Sequence, residues 1–263
     1  MSEANIEGTT GGAQPDAQAP RHMRRVLTTW IVTSVIIIAI WLIVAPFILP
    51  GADSGLGDQD NFTLSLETVL SIPVALFVFV FLGYSVFSFK SIGRPADDEV
   101  GPPLQPRASL QIGWLGVTSI LCLGLLIMGM FAFYDETAAH ATPDTLVVNV
   151  TAQQWLWTFE YPQYGATSSG AQVIELPVNR PVVFQVTSLD VLHGFAIRAL
   201  GVRVDANPGY NTTTAVITPT ALGDDVVQCV ELCGLYHSYM WEAVKVVSAD
   251  DFNTWIQSQG GHL

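Results

Sequence analysis

The chain has 263 residues, half of them hydrophobic, with 10 Lys or Arg against 23 Asp or Glu and a formal charge of −13. A mean hydropathy of +0.41 is unusual for a soluble globular domain and points to membrane spans. So acidic a chain repels phosphate backbones, which argues against a nucleic-acid partner. Its acids are scattered rather than blocked, which suits a surface adapted to very high salt; an acidic face for a cationic soluble donor is the other reading.

Residues 1–20 are rich in Gly, Ala, Gln and Pro and nearly lack large apolar side chains. They cannot bury enough surface to offset ordering entropy, so a disordered tail is expected. Residues 21–135 form a helical membrane region. Within it lie three uncharged runs, Val26 to Pro50, Thr68 to Phe89 and Ala108 to Tyr134, the last with its apolar core from Ile112. Each reaches the roughly 20 residues that a spanning helix needs, predicting spans over about 26–49, 68–89 and 112–134. Pro46 and Pro73 are expected close to segment ends, where proline costs least. Arg21, Arg24 and Arg25 precede the first run, and Lys90, Arg94 and Arg107 lie between the second and third. The loop from Gly51 to Glu67 has four acids and no Lys or Arg. Positive-inside bias then puts the N-terminus inside and delivers the C-terminal half to the outer face of the plasma membrane. The first run could instead be a signal peptide, though it is longer than an ordinary h-region and lacks a clean cleavage site. Cleavage would not change the placement of the C-terminal half.

From about Thr145 the period changes. LVVNV, WLWTFEY, VVFQVTS, TTTAVIT, DVVQCVE and WEAVKVV are short, β-rich and separated by turn residues, which predicts an all-β Greek-key sandwich or barrel over 144–258. In SADDFNTWIQ, Ser248 followed by Asp251 resembles a capping box and predicts a short closing helix.

The segment CVELCGLYHSYM holds Cys229, Glu231, Cys233, His237 and Met240. Thiolates, thioether and imidazole together favour copper over hard cations. One Cys with two His and a Met would make a mononuclear site, but two thiolates can bridge a pair of copper ions. His237 and Met240 then serve as terminal ligands, and His193, at the end of a predicted strand in SLDVLHGFAI, supplies a second imidazole. His22, His140 and His262 fit worse by position. A Cys229–Cys233 disulfide would leave the His and Met spacing unexplained, and structural zinc would be indifferent to Met240. Cys122, inside an apolar run, reads as a small buried hydrophobe.

The full C-x-E-x-C-G-x-x-H-x-x-M string with its upstream D-V-L-H resembles the CuA-binding loop of subunit II of haem–copper oxidases (cytochrome c oxidase subunit II). QQWLWTFEYP (153–162) and ALGVRVDANPGYNTTT (199–214) are similar to other family segments, and the resemblance covers roughly residues 64–256. It implies a cupredoxin fold, two anchoring helices and a haem-bearing subunit I as partner. The implied copper ligands are His193, Cys229, Glu231 through its backbone carbonyl, Cys233, His237 and Met240. The Glu231 side chain would help hold magnesium at the subunit I interface, and Trp155 would receive electrons from a soluble donor, cytochrome c or a small blue-copper protein. Strand alternation puts Trp155 and Trp157 on one face and does not say which is exposed. The implied role is electron acceptance in a respiratory terminal oxidase, with no bond broken in this chain. The copper subunit of a nitric oxide reductase and a membrane-tethered copper carrier are the alternatives. Two features depart from the family: the extra N-terminal helix, and Gln111 where many members carry a titratable glutamate linked to proton uptake.

Overall fold

A computed structural model describes residues 19–88, 107–138, 140–170 and 173–263. The expected tail falls outside them except for Ala19 and Pro20, as do Lys90 and Arg94 of the basic residues used for orientation. The chain divides into two compact units, Met1–Val44 with Glu67–Thr118, and Ala45–Leu66 with Ser119–Leu263.

Among the described residues three helices are long and apolar enough to cross a membrane. They are α1 (Ala19–Ile48), α2 (Gly55–Ser88) and α3 (Ala108–Ala138). A helix meets every backbone hydrogen bond within its own segment, the requirement that lipid imposes. In the first unit α1 and α2 are joined by polar contacts. Trp30 Nε1 donates to the Pro73 carbonyl at 2.7 Å, and His22 Nδ1 lies 2.7 Å from the Tyr84 hydroxyl. One expectation is corrected here. Pro73 is not near a segment end but inside α2, because that helix begins at Gly55, well before its apolar run. Pro46 is in the last turn of α1, and Gln111 is in the first turn of α3.

The described residues of the second unit form ten strands. They are β1 (Leu146–Gln153), β2 (Leu156–Tyr161), β3 (Ala166–Ser169), β4 (Ile174–Pro177), β5 (Val182–Ser188), β6 (His193–Ile197), β7 (Val202–Ala206), β8 (Thr212–Thr213), β9 (Gly223–Cys229) and β10 (Trp241–Val247). Two five-stranded sheets result, ordered β3-β2-β1-β5-β8 and β4-β10-β9-β6-β7. Pairing is antiparallel except for β1 with β5 and β4 with β10. These parallel pairs join strands distant in the chain, so the connections cross between sheets as in a Greek-key sandwich. The fold class expected from the sequence, membrane helices plus a β-sandwich of the cupredoxin kind, is the one found.

Along β1 every second residue is buried, and Val148, Val150, Trp157, Phe159, Phe184, Phe195 and Val227 fill the space between the sheets with no exposed surface. Each such side chain contributes about 1.5–3 kcal/mol on leaving water. The capping box closes the unit as expected. Ser248 Oγ accepts from the Asp251 amide at 3.2 Å, and α4 (Ala249–Ser258) lays Phe252 and Ile256 into the core.

This unit also includes the beginning of α2. Ser54 caps it, accepting from the Gly57 amide and donating to the Leu200 carbonyl at 2.8 Å. The Asp53 amide donates to the Ala199 carbonyl, and the Thr220 amide to the Asp53 carbonyl. A Cβ on Gly57 would meet the Ala199 oxygen at 2.4 Å. The polypeptide preceding the second membrane run is thereby stitched to the short 3-10 turn between β6 and β7.

Candidate metal centre

Three neighbouring strands of one sheet, β10, β9 and β6, bring the site together at their ends. His193 opens β6, rather than ending a strand as expected, and follows a loop braced by Asp190. Cys229 ends β9, and Met240 directly precedes β10. The Cys229 amide donates to the Met240 carbonyl at 3.0 Å, pinching the loop 229–240 shut, and the Val230 amide donates to the Gly194 carbonyl at 2.9 Å. Gly194 has to be glycine-sized, since a Cβ there would lie 2.7 Å from Val230 and 2.9 Å from the Glu231 amide. Gly234, with φ of 121°, turns the loop through a region that other residues avoid.

The donor atoms form two overlapping groups of four. In the first, His193 Nδ1 lies 3.2 Å from Met240 Sδ and 3.8 Å from Cys229 Sγ, while Cys233 Sγ lies 3.8 Å from Met240 Sδ. In the second, His237 Nδ1 is 3.6 Å from Cys233 Sγ, and the Glu231 carbonyl is 3.2 Å from Cys229 Sγ. Both thiols belong to both groups and are 3.6 Å apart, much too far for the roughly 2.05 Å of a disulfide. Ligands held at roughly 2.0–2.3 Å around one four-coordinate ion are about 3.3–3.8 Å from each other. The spacings therefore suit two adjacent ions sharing two sulfurs. His193, Cys229, Cys233 and Met240 are buried, and His237 is half-buried.

Electrostatics favour a cation. Burial pushes the Cys233 thiol up to about 12, and the hydrogen bond to Cys229 and the charge on Cys229 push the same way. Cys233 is protonated in the absence of metal, and a bound metal ion would displace its proton. On the far side of His193, Nε2 is 2.9 Å from Asp190 Oδ1. Burial raises the Asp190 carboxyl, but the bonds from His193, Gln154 and Val191 and the His193 charge outweigh it, holding the group at about 2. A carboxylate there fixes the ring orientation that leaves Nδ1 free to ligate.

Asp190 and Gln154 escaped the sequence reading. Asp190 lay in the quoted D-V-L-H string, three residues before the histidine. Gln154 carried no local signal: its backbone amide donates to Asp190 Oδ2, and its Nε2 donates to the Cys233 carbonyl, both at 2.7 Å. Trp155 and Trp157 do not share a face. Trp157 is wholly buried, whereas Trp155 sits in the turn before β2, half-buried, its ring edge-on to Tyr236 at 4.8 Å and against Gly234. The Glu231 side chain is half-exposed, with Arg203 at 3.5 Å. His22, His140 and His262 stand apart from the donors, and Cys122 is exposed on α3 rather than buried.

The chain is similar to known proteins. The family model described as cytochrome c oxidase subunit II, periplasmic domain, matches residues 169–247. A cytochrome c oxidase subunit 2 of Alkalihalophilus pseudofirmus is 28% identical over 208 residues, covering 78% of this chain. The chain spans only 59% of that relative's length. The periplasmic domain of subunit II of cytochrome oxidase from Bradyrhizobium japonicum is 31% identical with a TM-score of 0.42, over 44% of this chain and 93% of that one. The heme-copper oxidase subunit 2 of Aeropyrum pernix is 32% identical over 200 residues, 71% of this chain and 84% of the relative. Matched over most of that relative, the chain belongs to the haem–copper oxidase subunit II family.

Proposed function

We propose that the chain is the electron-accepting subunit of a respiratory terminal oxidase, taking electrons from a soluble donor and passing them to haem in subunit I. The observation that carries this is the pair of overlapping donor groups sharing Cys229 and Cys233. His193, Cys229, Glu231 through its carbonyl, Cys233, His237 and Met240 would hold the two copper ions of a CuA centre. When bound, the copper pair supplies a one-electron store shared through thiolate sulfur. The residues do the rest. Asp190 orients His193, burial keeps water from the sulfurs, and the pinched loop holds the ligands rigid so that little has to move as charge comes and goes.

Trp155 is the proposed point where electrons arrive. It is half-buried on the metal loop at Gly234, next to Gln154, which is bonded to the Cys233 carbonyl. A donor touching Trp155 therefore reaches a ligand across few atoms. The half-exposed Glu231 carboxylate would be a magnesium ligand shared with subunit I, and its partner oxygens would have to come from that subunit. The C-terminal half would lie on the outer face of the plasma membrane.

The test is copper content and spectrum of the purified complex. Two tightly held coppers per chain with the spectrum of a shared electron are expected, together with oxygen consumption. Cys229→Ser or His193→Ala should abolish that spectrum. One readily released mononuclear copper would point to a carrier instead, and nitric oxide consumption without oxygen consumption to a reductase.

A further inference from the structure

Glu242 is a carboxylate inside the sandwich that no ligand loop uses. It occupies a core-facing position of β10 in line with Val244 and Val246 and is 4% exposed. A carboxylate in an apolar layer is costly unless hydrogen bonds hold it. Its Oε1 accepts from the backbone amide of Trp157 at 3.2 Å. Trp157 belongs to β2 in the other sheet, so this bond crosses the core. The amide is available because the ladder between β2 and β3 stops at the pair Thr158 and Ser169. Just past it the Gly170 amide donates to the Trp157 carbonyl, and the Trp157 amide lies beyond the end of the ladder.

Each end of that bond leads to a proposed ligand. Met240 precedes Glu242 by two residues on the same backbone, and its carbonyl receives the Cys229 amide. The Trp157 ring meets His193 edge-on with centroids 6.1 Å apart, and meets Phe195 at 5.4 Å. His193 and Met240 are themselves neighbouring donors, 3.2 Å apart. We propose that Glu242 is a positioning residue for the metal centre: by holding the Trp157 amide it fixes the strand that carries Met240 against the ring that backs His193. The inference rests on the copper assignment above. The role asks for an acceptor oxygen rather than a charge, so glutamine can fill it and leucine cannot.

The experiment compares the full chain with Glu242→Gln and Glu242→Leu. In copper-free protein, amide exchange is followed on the peptide containing Trp157. In copper-loaded protein, the copper hyperfine spectrum and the reduction potential are read. Glu242→Leu should speed Trp157 exchange about tenfold, the factor a hydrogen bond of ordinary net strength is worth, and should shift both spectrum and potential. Glu242→Gln should match the parent in all three. Parent-like exchange in Glu242→Leu would overturn the proposal, as would fast exchange with an unmoved spectrum and potential. Glu242→Gln as perturbed as Glu242→Leu would overturn it too, because charge would then be the operative property. Should Glu242→Leu not fold, Glu242→Asp, one methylene short of the amide, replaces it with the same expectations. A parent chain without a copper pair would overturn the function proposed above, yet the exchange comparison would still decide whether Glu242 holds the amide.

Discussion

Asp190 is the side chain on which the orientation of His193 depends. Four bonds meet on it, from His193, Ser188, Val191 and Gln154, and they tie the loop before β6 to the turn before β2. Removing such a partner of a ligating imidazole typically costs 10–100-fold in metal affinity. Asp190→Ala should lose copper affinity by roughly that factor in competition with a chelator, while its far-ultraviolet dichroism stays parent-like. The same carboxylate makes stability depend on acid. Its pKa of about 2 is below the ordinary 3.8, so the native chain binds fewer protons than the unfolded chain between those values. The contribution is complete above pH 3.8 and is lost as pH falls toward 2. The stability gap between parent and Asp190→Ala should therefore be widest above about pH 4 and close toward about pH 2 in denaturant titrations. A gap that stayed constant with pH would mean the carboxylate charge is not what matters. At this scale the proposed ligand set could be read because five of its six members share twelve consecutive residues. Gln154 was not legible, since its partner Cys233 is 79 positions away and glutamine signals no chemistry alone.

Helices and strands were legible where one solvent acts on them uniformly. Hydropathy located the three long apolar runs, but it reports where side chains are apolar rather than where a helix starts. Hence α2 begins at Gly55, with its first turns made by Ser54 and by contact with the turn at Arg198–Leu200. Strand alternation likewise worked within β1 and failed at Trp155, which belongs to the tight turn between β1 and β2 rather than to either strand. Short strands such as β3 and β4 carry too few residues for a period to show in the sequence, and each pairs with a longer neighbour, β2 and β10. The beginning of α2 yields a sharp prediction. A methyl at Gly57 would sit 2.4 Å from the Ala199 oxygen and 3.2 Å from its carbonyl carbon, and backbone cannot swing aside as a flexible side chain can. Gly57→Ala should cost about 1–3 kcal/mol, read as a lower unfolding midpoint of the β unit. Gly55→Ala, where no atom lies within 4 Å of the added carbon, is the control and should be neutral or better.

At the scale of the whole molecule, two properties of the surface pull donor recognition in different directions. From Asp135 onward 13 acids face 4 Lys or Arg, a field that draws in a cationic donor. Around the candidate site, though, Leu189, Leu192, Leu232, Leu235, Tyr239 and Trp241 are each between 41% and 82% exposed. Contact of the proposed donor there would therefore be apolar, with charge acting from a distance. The two contributions separate with ionic strength. The Debye length shrinks from roughly 30 Å at 0.01 M to 10 Å at 0.1 M and 3 Å at 1 M. The second-order rate with a cationic donor should fall steeply across the first decade of salt and then level off, because apolar contact survives screening. Leu235→Asp should lower that high-salt plateau about tenfold, as loss of a central interface contact does, without altering the copper spectrum. Trp155→Ala should lower it too, whereas exchanging Glu160 for Gln, away from both loops, should affect only the low-salt limb. A rate that kept falling beyond 1 M would mean that charge pairs make the contact itself. A plateau untouched by Leu235→Asp would place the docking contact elsewhere. A steep first limb ending in a plateau that Leu235→Asp lowers would show long-range charge setting how often donors arrive and the apolar rim setting how many of those arrivals deliver an electron.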